Sequence, residues 1–134
     1  MQEGGWKPAL ALVFLAPFIG EVLSGATRVS VIFALVPDEM MVWGCGALLI
    51  RELVRRRGGR WPSLLSLGLG LSIAEEFLIQ QTSLALLPLP GALAHDGRAW
   101  GVNWIYFLYM LGFESVWVVL VPAGVTELWF FRSP

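Results

Sequence analysis

The chain has 134 residues, of which 57% are hydrophobic and 14% are charged, and its net charge is −1. Its mean hydropathy is +0.71, whereas soluble domains carry about 25% charged residues. This composition excludes a disordered chain and argues against a soluble monomer, and the near-zero net charge excludes a global basic field for nucleic acid.

Four apolar stretches approach the roughly 20 helical residues that a bilayer core requires. We predict an all-α fold, a polytopic transmembrane helix bundle that forms one integral membrane domain over residues 1–134. Pro37 marks the boundary before the second span, and Asp38 is a candidate helix cap there. The predicted spans are about 7–25, 38–54, 62–87 and 101–131.

Arginines concentrate in the turn that follows the second span, at 51–60. If the spans alternate in direction, seven basic residues fall on the side of this turn and two, Arg28 and Arg98, fall on the other side. Lys and Arg in short loops mark the cytoplasmic side. We therefore expect both termini in the cytoplasm, and we expect the arginines to contact anionic lipid.

Small residues at four-residue spacing allow helix backbones to approach closely in lipid. Such spacing predicts two helix contacts, one in the first span and one in the third. The residues are Ala16, Gly20 and Ser24 in the first span, and Ser66, Gly70 and Ala74 in the third.

Glutamates inside the apolar stretches are the sharpest functional signal. An acidic side chain at bilayer depth costs several kcal/mol and normally faces the protein interior. At 1.5 Å per residue, Glu75 in the third span lies about 20 Å from the cytoplasmic edge and Glu114 in the fourth about 10 Å. Errors of a few residues in the span ends blur this difference, which allows a polar pocket shared by Glu75, Glu76 and Glu114, with Glu21 as a further member. Adjacent residues on an α-helix point about 100° apart, so one group does not easily serve both Glu75 and Glu76.

Polar neighbours extend this acidic region. Helical spacing groups Glu76 with Ser72, Gln80 and Ser83, and it groups Glu75 with Ser72, Ile79 and Thr82. The residues expected along the outer approach to the pocket are Asn103, Tyr106 and Tyr109.

The acids leave several functions open. Hydrogen bonds between helices would hold the bundle together, a hydrolase would use one Glu to activate water, and a proton or cation path would bind its cargo at the acids. A role as a partner subunit or assembly factor is a further alternative. Cys45, which we expect to be buried, and His95 are the only Cys and His. Zinc sites and Cys–His dyads are therefore poorly supported, and we predict no cofactor and no metal.

The order of the segments resembles a group of uncharacterised bacterial polytopic membrane proteins. The matching segments are PFIGEVLSG, GCGALLIRELVRRRG, AEEFLIQQ, GRAWGVNW and FESVWVVLVP. The resemblance covers most of the chain and implies a location in the bacterial inner membrane but no activity. Members of the group are often longer, which implies that the chain belongs to a larger bundle with further membrane helices. Four short spans with several inward-facing acids also predict a homo-oligomer or further helices as partners. The apolar composition predicts contact with the lipid bilayer, and the net charge predicts no nucleic acid as a partner.

The Glu75-Glu76 pair also resembles that of the CAAX-protease-like (CPBP/Abi) intramembrane proteases, where such a pair supplies the catalytic glutamate. The resemblance implies catalytic roles for Glu76 as the water-activating base, Glu75 as the residue that tunes it, and Glu114 as a partner in place of the family's His. The family's Arg is replaced by Ile79 and Gln80. The predicted function is a degenerate glutamate-type protease scaffold; the alternatives are a proton- or cation-coupled transport component and a non-catalytic assembly subunit.

Overall fold

The computed structural model describes residues 6–23, 36–86 and 95–131. These residues form four helices and one short hairpin, which confirms the predicted all-α class. The residues predicted at the ends of two spans, 24–25 and 87, lie outside the described residues, as do Ser24 and Arg28. The helices are α1 (Trp6–Leu23), α2 (36–56), α3 (Trp61–Ile79) and α4 (Trp104–Phe130), and the strands are β1 (Arg98–Ala99) and β2 (Val102–Asn103).

Three of the described helices, α1, α3 and α4, are long and apolar enough to cross a membrane. By the length and composition of these helices, the chain is a membrane protein. Helix α2 does not join this set, because acidic residues lie near its start and a charged group lies near its end. The count of four spans thus remains a prediction. The charged residues of α2 are Asp38, Glu39, Arg51, Glu52, Arg55 and Arg56.

Helix α3 ends at Ile79, short of the predicted end of the third span at residue 87. The backbone N–H groups of Gln80 and Gln81 both donate to the carbonyl of Glu75, at 3.0 and 3.3 Å. Gln81 then adopts a left-handed conformation with φ 59°, which is a common way to terminate a helix. Residues 82–86 consequently continue as turns.

Each of the four described helices contains a π-helical segment, in which the hydrogen bonds span five residues instead of four. Three of these segments contain the glutamates predicted to lie inside the membrane. The helices are therefore locally widened where the acids lie. The segments are Phe18–Leu23 in α1, Met40–Gly44 in α2, Glu75–Ile79 in α3 and Glu114–Leu120 in α4.

The main apolar core lies between α1, α2 and α4, and a smaller cluster of Ile50, Val54 and Val119 joins α2 to α4. Gly44 lets α2 approach α1 closely, because a Cβ there would lie 2.4 Å from the carbonyl oxygen of Val13. The residues of the main cluster are Leu12, Ala16, Trp43, Ala47 and Val118.

One of the two predicted small-residue contacts is present in the described residues. Ala16 is fully buried, and a Cβ on Gly20 would meet Val118 at 2.6 Å. In the third span the close approach is made by Gly68 against Ser115. Gly70 has open space around it, so the predicted third-span stripe is displaced from the actual contact with α4.

The hairpin β1–β2 precedes α4 and pairs Arg98 with Asn103. The Asn103 side chain caps α4 by accepting a hydrogen bond from the Tyr106 backbone N–H at 3.0 Å. The Arg98 guanidinium donates to the carbonyls of Leu84 and Ala85, each at 2.9 Å. The hairpin is thereby attached to the turns that follow α3.

Candidate functional site

Three carboxyl groups meet where α3 packs against α4. Glu75, Glu76 and Glu114 each offer one carboxylate oxygen, and these oxygens all lie within 4.8 Å of one another. The three residues are 1%, 0% and 1% exposed. Gly68 makes this approach close, since a Cβ there would lie 3.2 Å from the Ser115 carbonyl oxygen. The structure thus brings together all three predicted site residues in one group, hereafter the glutamate triad.

The π-helical segment of α3 explains how two adjacent glutamates face the same interior. The segment begins at Glu75 and includes Glu76. A π turn contains more residues than an α turn, so successive side chains diverge by a smaller angle. The expectation that one group does not easily serve both Glu75 and Glu76 assumed α-helical geometry, whereas the two carboxyl groups lie in one cluster with Glu114. Glu114 likewise begins the π-helical segment of α4.

Hydroxyl groups hold one oxygen of Glu76 and one of Glu114. Ser72 Oγ donates to Glu114 Oε2 at 2.5 Å, and Thr82 Oγ1 donates to Glu76 Oε2 at 2.8 Å. Ser83 Oγ donates to the same oxygen of Glu76. Thr82 and Ser83 reach Glu76 from the turn after α3, not from the helical face on which the sequence grouped them.

The remaining oxygens of the triad are buried and unpartnered. Oε1 of Glu75, of Glu76 and of Glu114 has no hydrogen-bond partner in the described part of the chain. Ion pairs within that part join Arg51 to Glu127 and join two arginines to Glu52, so none involves the triad. A buried polar atom without a partner costs about 1–3 kcal/mol, and more when it is charged. The triad therefore has unused capacity for a positively charged or hydrogen-bond-donating ligand.

The outer approach to the triad is only partly as predicted. Asn103 is 2% exposed, and its backbone N–H donates to the Ser83 carbonyl at 2.9 Å, next to the hydroxyls on Glu76. Tyr106 is half-buried. Tyr109 is 65% exposed and stacks on Phe113, with ring centroids 5.9 Å apart, so it belongs to the outer surface of α4.

Glu21 is not among the three converging residues. It lines a cavity of about 130 Å³ between α1 and α2, and Glu39 lines the same cavity. The carboxyl groups of both residues lie close enough to Glu75 for their negative charges to repel a charge on it. Sequence reasoning did not single out Glu39, although its position one residue after Asp38 near the start of an apolar helix was visible in the sequence.

The two residues expected to lack a functional role lie away from the triad. His95 is exposed in the turn that precedes β1. Cys45 is also exposed, contrary to the prediction that it is buried. It lines a cavity between α1 and α2, together with Pro8, Ala9 and Leu49.

No known protein family, curated protein or solved structure matches the chain. The chemistry of the site must follow from its donor atoms. Three carboxylates and the hydroxyls of Ser72, Thr82 and Ser83 form an all-oxygen set. Hard cations such as Mg²⁺ and Ca²⁺ prefer oxygen ligands, whereas zinc and copper sites usually include His or Cys. The triad can therefore hold a hard cation as well as protons, although the sequence predicted no metal.

Proposed function

We propose that the protein is a membrane component that binds protons or a hard cation at the glutamate triad, as part of proton- or cation-coupled transport. The observation that carries this proposal is the convergence of three buried carboxyl groups, each with an unpartnered oxygen. Coupled transport requires a site whose negative charge is compensated by the bound proton or cation. Acidic residues inside the membrane commonly form such sites.

Electrostatic repulsion makes the triad dependent on such a cargo. The chosen oxygens of any two of these groups lie within 4.8 Å of each other, and two unit charges at that limit repel by about 3.5 kcal/mol at an effective dielectric constant of about 20. Three pairs of this kind exist when all three groups are ionised. Since no arginine or lysine within the described ranges pairs with them, protons or a bound cation would provide the compensation.

Reconstituted vesicles test this proposal directly. We expect a pH- or ion-dependent flux that Glu76→Gln and Glu114→Gln each reduce at least tenfold, because each change removes one ionisable ligand. Glu52→Gln is the matched control, since it makes the same chemical change at an exposed ion pair on α2. A wild-type flux equal to that of protein-free vesicles would contradict the proposal. Altered thermal stability without altered flux would assign the triad to helix–helix bonding instead.

We further propose that the bundle has four spans, with α2 as one of them, and lies in a bacterial inner membrane with both termini in the cytoplasm. The concentration of arginines at the α2–α3 turn supports this orientation. A cysteine introduced at Arg57 should not react with an impermeant thiol reagent added to intact cells. Reaction at that position would show that the α2–α3 turn lies outside the cell, which is the opposite orientation. A homo-oligomer or additional membrane helices are proposed as partners, because four short helices form a small bundle for the number of acids that it buries.

Glutamate-type intramembrane hydrolysis is a second candidate, favoured by the way in which Glu76 is held. Two hydroxyls fix its Oε2 while Oε1 stays unpartnered, which suits a base that activates water. In this proposal Glu75 tunes the base and Glu114 serves as the partner on a CPBP-like scaffold. Glu76→Gln should abolish cleavage of a membrane peptide while the protein stays folded. Equal cleavage by both proteins would refute hydrolysis.

A further inference from the structure

A second cluster of charged side chains lies at the opposite end of the bundle from the hairpin. A cavity of about 270 Å³ opens there between the α2–α3 turn and α4. Its lining includes three arginines, Arg51, Arg55 and Arg60, and one acidic residue, Glu127. This arrangement is independent of the glutamate triad.

The charges of this cavity do not balance. Glu127 is used by Arg51, whose Nη2 and Nε lie 2.6 and 2.8 Å from its Oε1. Arg55 lies 3.7 Å from Glu52, whose other oxygen accepts a shorter bond of 2.9 Å from Arg56. Arg60 has no acidic partner within the described ranges. The cavity therefore keeps positive charge at Arg55 and Arg60.

Two of the three arginines, Arg51 and Arg55, have their guanidinium groups over one aromatic ring. The Phe131 ring lies under both Arg51 and Arg55, with centroid distances of 5.0 and 5.3 Å. Such cation–π contacts stabilise the orientation in which each guanidinium group faces the ring. Arg51 is only 5% exposed, so it acts as a fixed wall of the cavity, while Arg55 and Arg60 supply the accessible charge.

The other lining residues indicate that the cavity lies at the depth of the lipid headgroups. Trp61 lies at the start of α3, and its side chain is 63% exposed. Trp rings favour the headgroup region of a bilayer. Val54 and Leu64 add apolar walls beside the guanidinium groups. A ligand that fits has an anionic group next to an apolar part.

We propose that this cavity binds the phosphate of an anionic phospholipid headgroup, with Arg55 and Arg60 as its direct ligands. Guanidinium groups bind phosphate oxygens with paired, charge-assisted hydrogen bonds. Basic cavities between membrane helices on the cytoplasmic side are suited to such headgroups. Arg51 and Glu127 form the fixed wall against which the headgroup packs.

Native mass spectrometry of the full chain in detergent provides the test, with phosphatidylglycerol and phosphatidylcholine as probes. We expect preferential binding of phosphatidylglycerol, which Arg55→Gln and Arg60→Gln each weaken by about fivefold or more. Arg57→Gln is the matched control. It removes the same charge from the same turn, but Arg57 does not line this cavity, so its effect should stay below about twofold.

Three results would overturn the proposal. Equal binding of the two lipids would show that the cavity does not select an anionic headgroup. An equal loss with Arg57→Gln would show attraction to the arginine cluster as a whole. Binding of glycerol phosphate as tightly as phosphatidylglycerol would show a soluble ligand in place of the lipid. Thermal unfolding of each variant separates these results from loss of the fold.

Discussion

Gly44→Ala tests the close approach of α2 to α1. The added Cβ would lie 2.4 Å from the carbonyl oxygen of Val13 and 3.1 Å from the carbonyl carbon. Ordinary contact begins at 3.4 Å, so the two backbones must separate by about 1 Å. The obstacle is a main-chain atom, which cannot turn aside as a flexible side chain can.

The energetic consequence follows from the core beside Gly44. A gap of up to 1 Å forfeits about a quarter to a half of the dispersion attraction between facing atoms, and Leu12, Trp43 and Ala47 pack across this interface. Overpacking of this kind costs about 1–3 kcal/mol. The higher helix propensity of Ala offsets at most about 1 kcal/mol. We expect Gly44→Ala to destabilise the bundle.

Gly70→Ala is the control, because Gly70 lies in a helix with nothing within 4 Å of its added Cβ. It should leave stability unchanged or raise it by up to about 1 kcal/mol. The gain in helix propensity is common to both variants, so denaturant unfolding in detergent, followed by circular dichroism, should separate them by the overpacking cost of about 1–3 kcal/mol. A Gly44→Ala protein as stable as Gly70→Ala would refute the packing of α1 against α2 described above.

Two further changes test the polar contacts of the bundle in the same unfolding assay. Ser72→Ala should lower the free energy of unfolding by about 1–3 kcal/mol, because it removes the hydroxyl donor to buried Glu114. Ser66→Ala is the control, since its exposed hydroxyl bonds only to its own helix, and it should change this free energy by less than about 0.5 kcal/mol. Equal losses in the two variants would contradict the Ser72 contact. Glu127→Gln should lower the free energy of unfolding by about 1–3 kcal/mol, because it leaves the guanidinium of Arg51 buried without its carboxylate. An unchanged denaturant midpoint would show that this ion pair contributes nothing to stability.

Much of the architecture followed from simple properties of the sequence. Long apolar stretches predict helices because backbone groups in a bilayer must be satisfied within the chain. The meeting of Glu75, Glu76 and Glu114 followed from their depths, which overlap within the errors of the span ends, together with the cost of exposing acids to lipid. Both inferences depend on average properties of a segment, which survive errors of a few residues at its ends.

The details that depend on helical phase were not predictable in this way. Nothing around Glu75 signals a π-helical segment, and such a segment shifts the side chains that follow it. The choice of Gly70 as a contact residue, where Gly68 makes the contact, has a different cause. Gly68 and Ser72 have the same four-residue spacing as Ser66, Gly70 and Ala74, so the spacing of small residues does not select one face of α3. The end of α3 at Ile79 was also missed, because neither Gly nor Pro follows it and the stop is made by backbone bonds to Glu75.

The attachment of the hairpin to the turns after α3 links the surface of the molecule to its most buried charges. Thr82 and Ser83, which hold Glu76, directly precede the two carbonyls that Arg98 binds. The Ser83 carbonyl itself accepts from Asn103. The position of the hairpin and the positions of the hydroxyls that hold Glu76 are therefore set by one continuous series of hydrogen bonds.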